Sequence, residues 1–143
     1  MQRHVAARYP GARLITLDDL APDDEGLFHG DHGDACPGLA EVDFYGDRRP
    51  TLALVLLTKR KGSEVSILVV AHKLEKGWLT TELDTGGQDV PVVWGESAGK
   101  YTDVYGNKTV RATRPVIVFC KYEAWAILYA WTGTRVTKIW LRD

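Results

Sequence analysis

Residues 42–54, VDFYGDRRPTLAL, place acidic side chains and a glycine immediately before a strongly apolar run. Loops of the D-x-D-G-D-G-x-x-D type wrap carboxylates around calcium, which takes about six to eight oxygen ligands. Asp43 and Asp47 occupy the first and third ligand positions of such a loop. The positions that depart from the pattern are Tyr45, Arg48 and Thr51. Two hypotheses follow: a calcium site at Asp43 and Asp47, or a metal-free turn held by Asx-type hydrogen bonds and Asp–Arg pairing.

Residues 28–36, FHGDHGDAC, bring imidazole, carboxylate and thiol groups into one short segment. All three groups are ligands for first-row metals. The residues that carry them are His29, Asp31, His32, Asp34 and Cys36. Structural zinc sites need ligands at fixed spacing on paired turns, and a single glycine-rich segment does not supply that geometry. The pattern therefore favours a mobile surface loop without regular secondary structure, and no cofactor is expected here.

Cys36 and Cys120 are the two cysteines of the chain, which allows one disulfide or two free thiols. A bridge would close a loop of about 84 residues and contribute about 4 kcal/mol in the chain-entropy model. Cys120 follows Val116 and Val118 at strand spacing, which predicts that its side chain points into a core. The sequence leaves both alternatives open, and a disulfide would indicate an oxidising compartment.

Residues 95–106, GESAGKYTDVYG, contain Ser97 between Gly95 and Gly99 at G-x-S-x-G spacing, but this serine lies between two predicted strands and not at the strand-to-helix turn of a nucleophile elbow. The run S-A-G-K-Y resembles the S-G-x-x-Y loop with which bacterial periplasmic lysozyme inhibitors plug an enzyme cleft. The resemblance implies a binding role for this loop, and its candidate binding residues are Ser97, Gly99, Tyr101, Asp103 and Tyr105. The alternative is a loop that merely joins two strands and uses glycine for its turns.

An acid–histidine pair is the other chemistry that the residue types allow. Glu96 or Asp103 could meet His72 or His32 in a cleft and form the general acid–base pair of a small hydrolase. His72 follows Ala71 on a predicted strand, a position more typical of a hydrogen-bonded, partly buried histidine than of a base. The hydrolase is therefore an alternative, and no catalysis is predicted.

The apolar periodicity indicates that these segments are positioned by β-strands. Short apolar runs at regular spacing predict strands over 51–58, 64–72, 78–84, 91–95, 100–104, 109–113, 115–122, 124–131 and 135–141. Residues 1–37 are expected to form an irregular arm and loop, with a short helical turn that Thr16 and Asp19 would cap. We therefore predict a mainly β, single antiparallel sandwich- or barrel-like domain, whose core spans 38–143.

Trp125, Ile127, Tyr129 and Trp131 share one face if residues 124–131 form a strand. A helix is the rival interpretation of this segment, because its alanines also fit a helical turn. The aromatic face is expected to be a core face rather than an exposed platform for a sugar or peptide, although the sequence allows both.

Charge and composition exclude several classes of protein. The 143 residues carry 18 basic and 19 acidic side chains, so the concentrated positive charge that nucleic-acid binding needs is missing. No apolar run approaches the length of about 18 residues that a membrane span requires. The first eleven residues contain no apolar stretch of the signal-peptide type. The expected partner is an unknown protein or a small ligand.

The segment DFYGDRRPTLALVLL resembles the DFxGDGxPDyALLL segment of small bacterial periplasmic proteins related to FG-GAP/VCBS-type repeats. The preceding CPGLAEV and the final YEAWAILYAWTGTRVTKIWLRD are similar to the lead-in and closing hairpin of that family. The likeness covers roughly residues 36–59 and 99–143. It implies an exported bacterial β-rich domain, periplasmic or secreted, without a defined reaction. We therefore predict a binding module, with a cleft-plugging inhibitor or immunity-type protein that uses the 95–106 loop as the alternative.

Overall fold

Two antiparallel sheets share one hydrophobic core in the computed structural model, which describes residues 1–143. The first sheet contains β1 (Arg13–Leu14), β2 (Leu39–Glu41), β3 (Thr51–Arg60), β4 (Ser63–Lys73) and β5 (Trp78–Gly87). The second contains β6 (Val92–Glu96), β9 (Val116–Lys121), β10 (Trp125–Trp131) and β11 (Val136–Arg142), in the order β11-β10-β9-β6. β7 (Gly99–Thr102) and β8 (Thr109–Ala112) pair only with each other. The predicted mainly β, antiparallel fold is confirmed.

Strands β3 and β4 are apolar on both faces because each face has its own cover. Val55 of β3 and Leu68 of β4 point into the core shared by the two sheets. Leu56 and Ile67 point the other way, into a smaller cluster on the outer face of the first sheet. The central-strand pattern of residues 51–58 thus reflects burial on both sides.

An N-terminal helix, α1 (Gln2–Arg8), lies over this outer face, where an irregular arm was expected. Met1, Val5 and Tyr9 pack against the smaller apolar cluster, while the other side chains of the helix are more exposed. A helix this short is marginal alone, so its stability comes from packing on the sheet. The N-terminal arm is therefore more helical than its local sequence signals indicate.

A second helix, α2 (Pro22–His32), extends into the segment predicted to be a glycine-rich loop. Proline at its first position and three acidic residues in its first turn favour helix initiation. Gly26 and Gly30 each cost about 1 kcal/mol relative to alanine. Burial of Phe28, which is 1% exposed, contributes about 1.5–3 kcal/mol and offsets that cost. Packing against the second sheet therefore overrides the weak local propensity.

The aromatic face of β10 belongs to the core, and the segment is a strand. Tyr129 is buried and its hydroxyl donates a hydrogen bond to the carboxylate of Asp84 on β5. The ring of Trp131 packs edge-on against Tyr45, with 5.0 Å between the ring centroids. The first contact joins the two sheets and the second joins β10 to the loop before β3, so the expectation of a core face over an exposed platform is confirmed.

Cys36 and Cys120 are both free thiols, so the disulfide that the sequence allowed is not formed. Cys120 is buried in the shared core, as its strand spacing predicts, and burial raises the pKa of its thiol to about 11. Cys36 lies in the turn between α2 and β2 and is partly exposed. No helix combines the length and the apolar character that crossing a membrane would require.

The predicted turn at Thr16 is a 3₁₀ helix over Leu17–Asp19. The carboxylate of Asp19 accepts hydrogen bonds from the backbone N–H of Thr16, at 2.8 Å, and from the guanidinium of Arg13. The hydrogen bond from Arg13 is the main cause that lowers the pKa of Asp19 to about 2. A depressed carboxyl pKa stabilises the fold above the unfolded-state value of about 3.9, and this contribution is lost as the pH falls toward 2.

We therefore expect Asp19→Asn to flatten the pH dependence of unfolding between about pH 4 and pH 2. Urea unfolding, followed by circular dichroism at a series of pH values, measures this slope. Asp18→Asn is the matched control, because Asp18 is exposed and forms no ion pair. Equal slopes for the Asp19→Asn variant and the unmodified protein would contradict the assignment.

Candidate functional site

The β7–β8 hairpin lies outside the two main sheets, and its two faces differ in chemistry. Tyr101 and Val110 are paired across the strands and pack on the edge of the shared core. Lys100 and Arg111 form the next pair and are exposed on the opposite face. Because neighbouring side chains on a strand alternate in direction, the hairpin is fixed by one face and free on the other.

The turn of this hairpin, residues 103–108, is built around Asp103. Its side-chain Oδ1 accepts a hydrogen bond from the N–H of Asn107 at 3.0 Å, and its carbonyl accepts one from Gly106 at 3.0 Å. Gly106 has a φ of +74°, a conformation that glycine adopts without steric cost. Asp103, which the sequence predicts to be a binding residue, therefore shapes the turn.

The turn is anchored to the C-terminal strand and still presents two large side chains to solvent. The N–H of Val104 donates to the carbonyl of Trp140 at 2.7 Å, and the hydroxyl of Tyr105 donates to the carboxylate of Asp143. The hydrogen bond to Asp143 raises the pKa of Tyr105. Val104 and Tyr105 are nevertheless 50% and 57% exposed. We call these two residues the hairpin tip.

The other predicted binding residues have different structural roles. Ser97 is exposed, and its carbonyl accepts a hydrogen bond from the hydroxyl of Tyr101 at 2.6 Å. Gly99 pairs with Ala112 at the base of the hairpin. Val104 is not among the predicted residues, although a valine inside a polar turn is a detectable signal in the sequence.

Glu96 and Asp103 do not meet a histidine as the hydrolase alternative requires. Glu96 accepts a hydrogen bond from the indole Nε1 of Trp94 at 2.8 Å. His32 packs its ring on Trp94, with 4.6 Å between the ring centroids. The acid that hydrogen-bonds to a histidine is Asp47, a residue of the predicted calcium loop.

A hydrogen-bonded chain joins Asp47, His72 and Thr51. His72 Nε2 lies 2.6 Å from Asp47 Oδ2, and His72 Nδ1 lies 2.7 Å from Thr51 Oγ1. Thr51 begins β3 and His72 is close to the end of β4, so the antiparallel register places them side by side. The ring of Tyr45 covers the imidazole at 4.5 Å between centroids. The prediction of a hydrogen-bonded, partly buried His72 is confirmed.

This chain has the residue types of a nucleophilic triad but not its accessibility. Thr51 is fully buried and His72 is 6% exposed, so a substrate cannot reach the hydroxyl. Both imidazole nitrogens are already occupied by Thr51 and Asp47. A nucleophile must be able to approach the reacting carbon atom, and this hydroxyl faces the protein interior. The arrangement therefore attaches the 43–50 loop to the first sheet.

The loop that contains Asp43 and Asp47 forms an Asx-type turn, which is the metal-free arrangement that the sequence also allows. Asp43 Oδ1 accepts a hydrogen bond from the N–H of Arg48 at 3.3 Å, and Asp47 Oδ1 accepts one from Arg49 at 2.9 Å. Partial burial raises the pKa of Asp47, but the hydrogen bonds from Arg49 and His72 outweigh it and lower the pKa overall. Arg48 adopts a φ of +64°, where the resemblance has glycine. Calcium binding at Asp43 and Asp47 stays a prediction.

The metal-ligating residue types of segment 28–36, where no metal was predicted, are distributed over the end of α2 and the turn after it. His29 Nδ1 lies 3.1 Å from the carbonyl of Gly33, and Asp31 accepts a hydrogen bond from Tyr122 at 3.4 Å. No group of three or more His, Cys, Asp or Glu side chains converges as a metal site would require.

Comparison with known proteins does not assign the chain to a group. The sequence matches no protein family, no curated protein and no solved structure at a significant level.

Proposed function

We propose that this protein is a binding module that inserts the hairpin tip into a recess on a partner protein. The observation that carries the proposal is the exposure of Val104 and Tyr105 on a turn whose backbone is anchored to β11. Exposed tyrosine on a rigid support is typical of the residues that dominate binding energy at protein interfaces. Anchoring reduces the conformational entropy that such a turn would lose on binding.

The shape of the tip favours a protein partner over a small ligand. Small-molecule sites are concave and enclose most of the ligand, whereas the tip is a projecting turn. A projecting turn fits a cleft on another molecule, which is the mode of an inhibitor or immunity-type protein. The resemblance to periplasmic proteins supports an exported bacterial module as part of the same proposal. The carboxylate–histidine pair that the chain forms, Asp47 and His72, lies against the fully buried Thr51 and does not favour the hydrolase alternative.

Photo-cross-linking at position 105 tests the proposal. Tyr105 is replaced by p-benzoylphenylalanine, and the protein is irradiated in an extract of the organism that encodes it. We expect one dominant cross-linked protein, identified by mass spectrometry, that also forms a stoichiometric complex when both proteins are purified. The matched control carries the same photo-reactive group in place of Leu79 on β5, which is 52% exposed and lies far from the hairpin in sequence.

The two positions must give different results. A protein that cross-links from position 105 but not from position 79, and binds again in purified form, supports the proposal. Equal cross-linking patterns from both positions would show non-specific contact and would refute it, as would the absence of any purified complex.

A further inference from the structure

Two cations stand directly opposite each other on the solvent face of the β7–β8 hairpin. Lys100 and Arg111 are cross-strand partners, and both are exposed. The ion pairs of the protein involve other residues, so neither cation has an acidic neighbour within 4.0 Å. Like charges directly opposite on a sheet are destabilising. The solvent face of this hairpin therefore carries two adjacent positive charges, and their neutralisation needs an anion from outside the chain.

Cations on the β3–β4 hairpin are arranged differently. Lys59 is the cross-strand partner of Glu64, so opposite charges face each other there. Arg60 forms two hydrogen bonds with the carboxylate of Glu82, one of them 3.0 Å long. The chain thus supplies acidic partners to one exposed hairpin and leaves the other without them.

We propose that the solvent face of β7–β8 binds carboxylate groups of an acidic segment on the partner protein. This inference rests on the proposed function, because the same hairpin carries Val104 and Tyr105 at its tip. Opposed side chains on paired strands lie about 5 Å apart at their Cβ atoms, so one acidic segment can contact both cations. Arg111 can hold a carboxylate in a two-pronged arrangement, and Lys100 adds a second positive charge.

Acidic protein fits this surface better than nucleic acid does. The tip of the same hairpin exposes the apolar Val104, which suits contact with a protein and offers nothing to a phosphate backbone. Nucleic-acid binding also needs a wide cationic surface, and the whole chain has a net charge of −1. The partner should therefore carry a few acidic side chains at the rim of the recess that receives the tip.

A titration of the ¹⁵N-labelled protein with a glutamate decamer tests this inference by NMR. We expect chemical-shift changes centred on residues 99–112 that weaken as salt is added. The double substitution Lys100→Glu/Arg111→Glu should reduce the affinity at least about tenfold. The matched control is Lys59→Glu/Lys61→Glu, which makes the same charge change on the β3–β4 hairpin and should leave the affinity for the decamer within about twofold. The NMR spectrum of each variant reports whether it is folded.

Three results would overturn the inference. They are the absence of shifts in the hairpin, an equal loss of affinity in both double variants, and equally tight binding of a thymidine decamer at the same residues. The titration does not depend on the cross-linking partner. A specific cross-link at position 105 without decamer binding would remove only the carboxylate site, whereas decamer binding without a specific cross-link would remove only the cleft-inserting role.

Discussion

Replacing His72 with alanine is expected to lower the free energy of unfolding by about 2–4 kcal/mol. The substitution removes a buried ring that packs against Tyr45 and leaves the fully buried hydroxyl of Thr51 without a partner. It also breaks the contact that attaches Asp47, and with it the 43–50 loop, to β4. The loss combines a cavity and an unsatisfied polar group, two mechanisms that account for large effects of single substitutions.

Urea unfolding followed by circular dichroism measures this change. His4→Ala is the matched control, because His4 is half-buried on α1 and its side chain makes one long hydrogen bond, at 3.4 Å to Thr80. The control should change the stability by less than about 0.5 kcal/mol. A His72→Ala variant as stable as the control would show that the Asp47–His72–Thr51 chain does not support the loop.

The double substitution Val104→Ala/Tyr105→Ala is expected to weaken binding of the cross-linked partner by about 30-fold or more. Truncation of central aromatic residues at interfaces commonly costs at least about 2 kcal/mol of binding free energy. Val104 is 50% exposed and Tyr105 is 57% exposed, so the free energy of unfolding should change by less than about 0.5 kcal/mol. Isothermal titration calorimetry with the purified partner provides the affinity.

Leu79→Ala is the control for this second prediction, since it removes an equally exposed apolar side chain from β5. It should leave the affinity unchanged within about twofold, because an exposed residue outside the interface contributes little to binding. If the tip variant binds as tightly as Leu79→Ala, the hairpin tip is not the contact surface.

The strands could be predicted because their signals are local. Residues 51–58 and 115–122 are short apolar runs bounded by turn residues, and they correspond to β3 and β9. The turn at Tyr105 and Gly106 could also be predicted from composition. Alternation and turn chemistry act within a few residues, so the sequence reports them directly.

The two helices were mispredicted because their stability is not local. α1 is only seven residues long and α2 contains two glycines, and both gain stability from apolar contacts with distant strands, such as those of Val5 and Phe28. Tertiary packing overrides weak propensity in such cases.

The Asp47–His72 pair could not be predicted for a related reason. The two residues are 25 positions apart, and the register of β3 against β4 together with the turn of the 43–50 loop brings them together. Alternation predicts which face a residue occupies but not its neighbour on the next strand. The missing counter-charge at Lys100 and Arg111 depends on register in the same way.

The anchoring of the hairpin turn to the C-terminal strand has a kinetic consequence. Val104 is tied to Trp140 through the backbone, and Tyr105 to Asp143 through its hydroxyl, so the turn is already ordered before any encounter. A surface that needs no rearrangement associates in one step. Selection for tighter or weaker complexes would then act mainly on the dissociation rate.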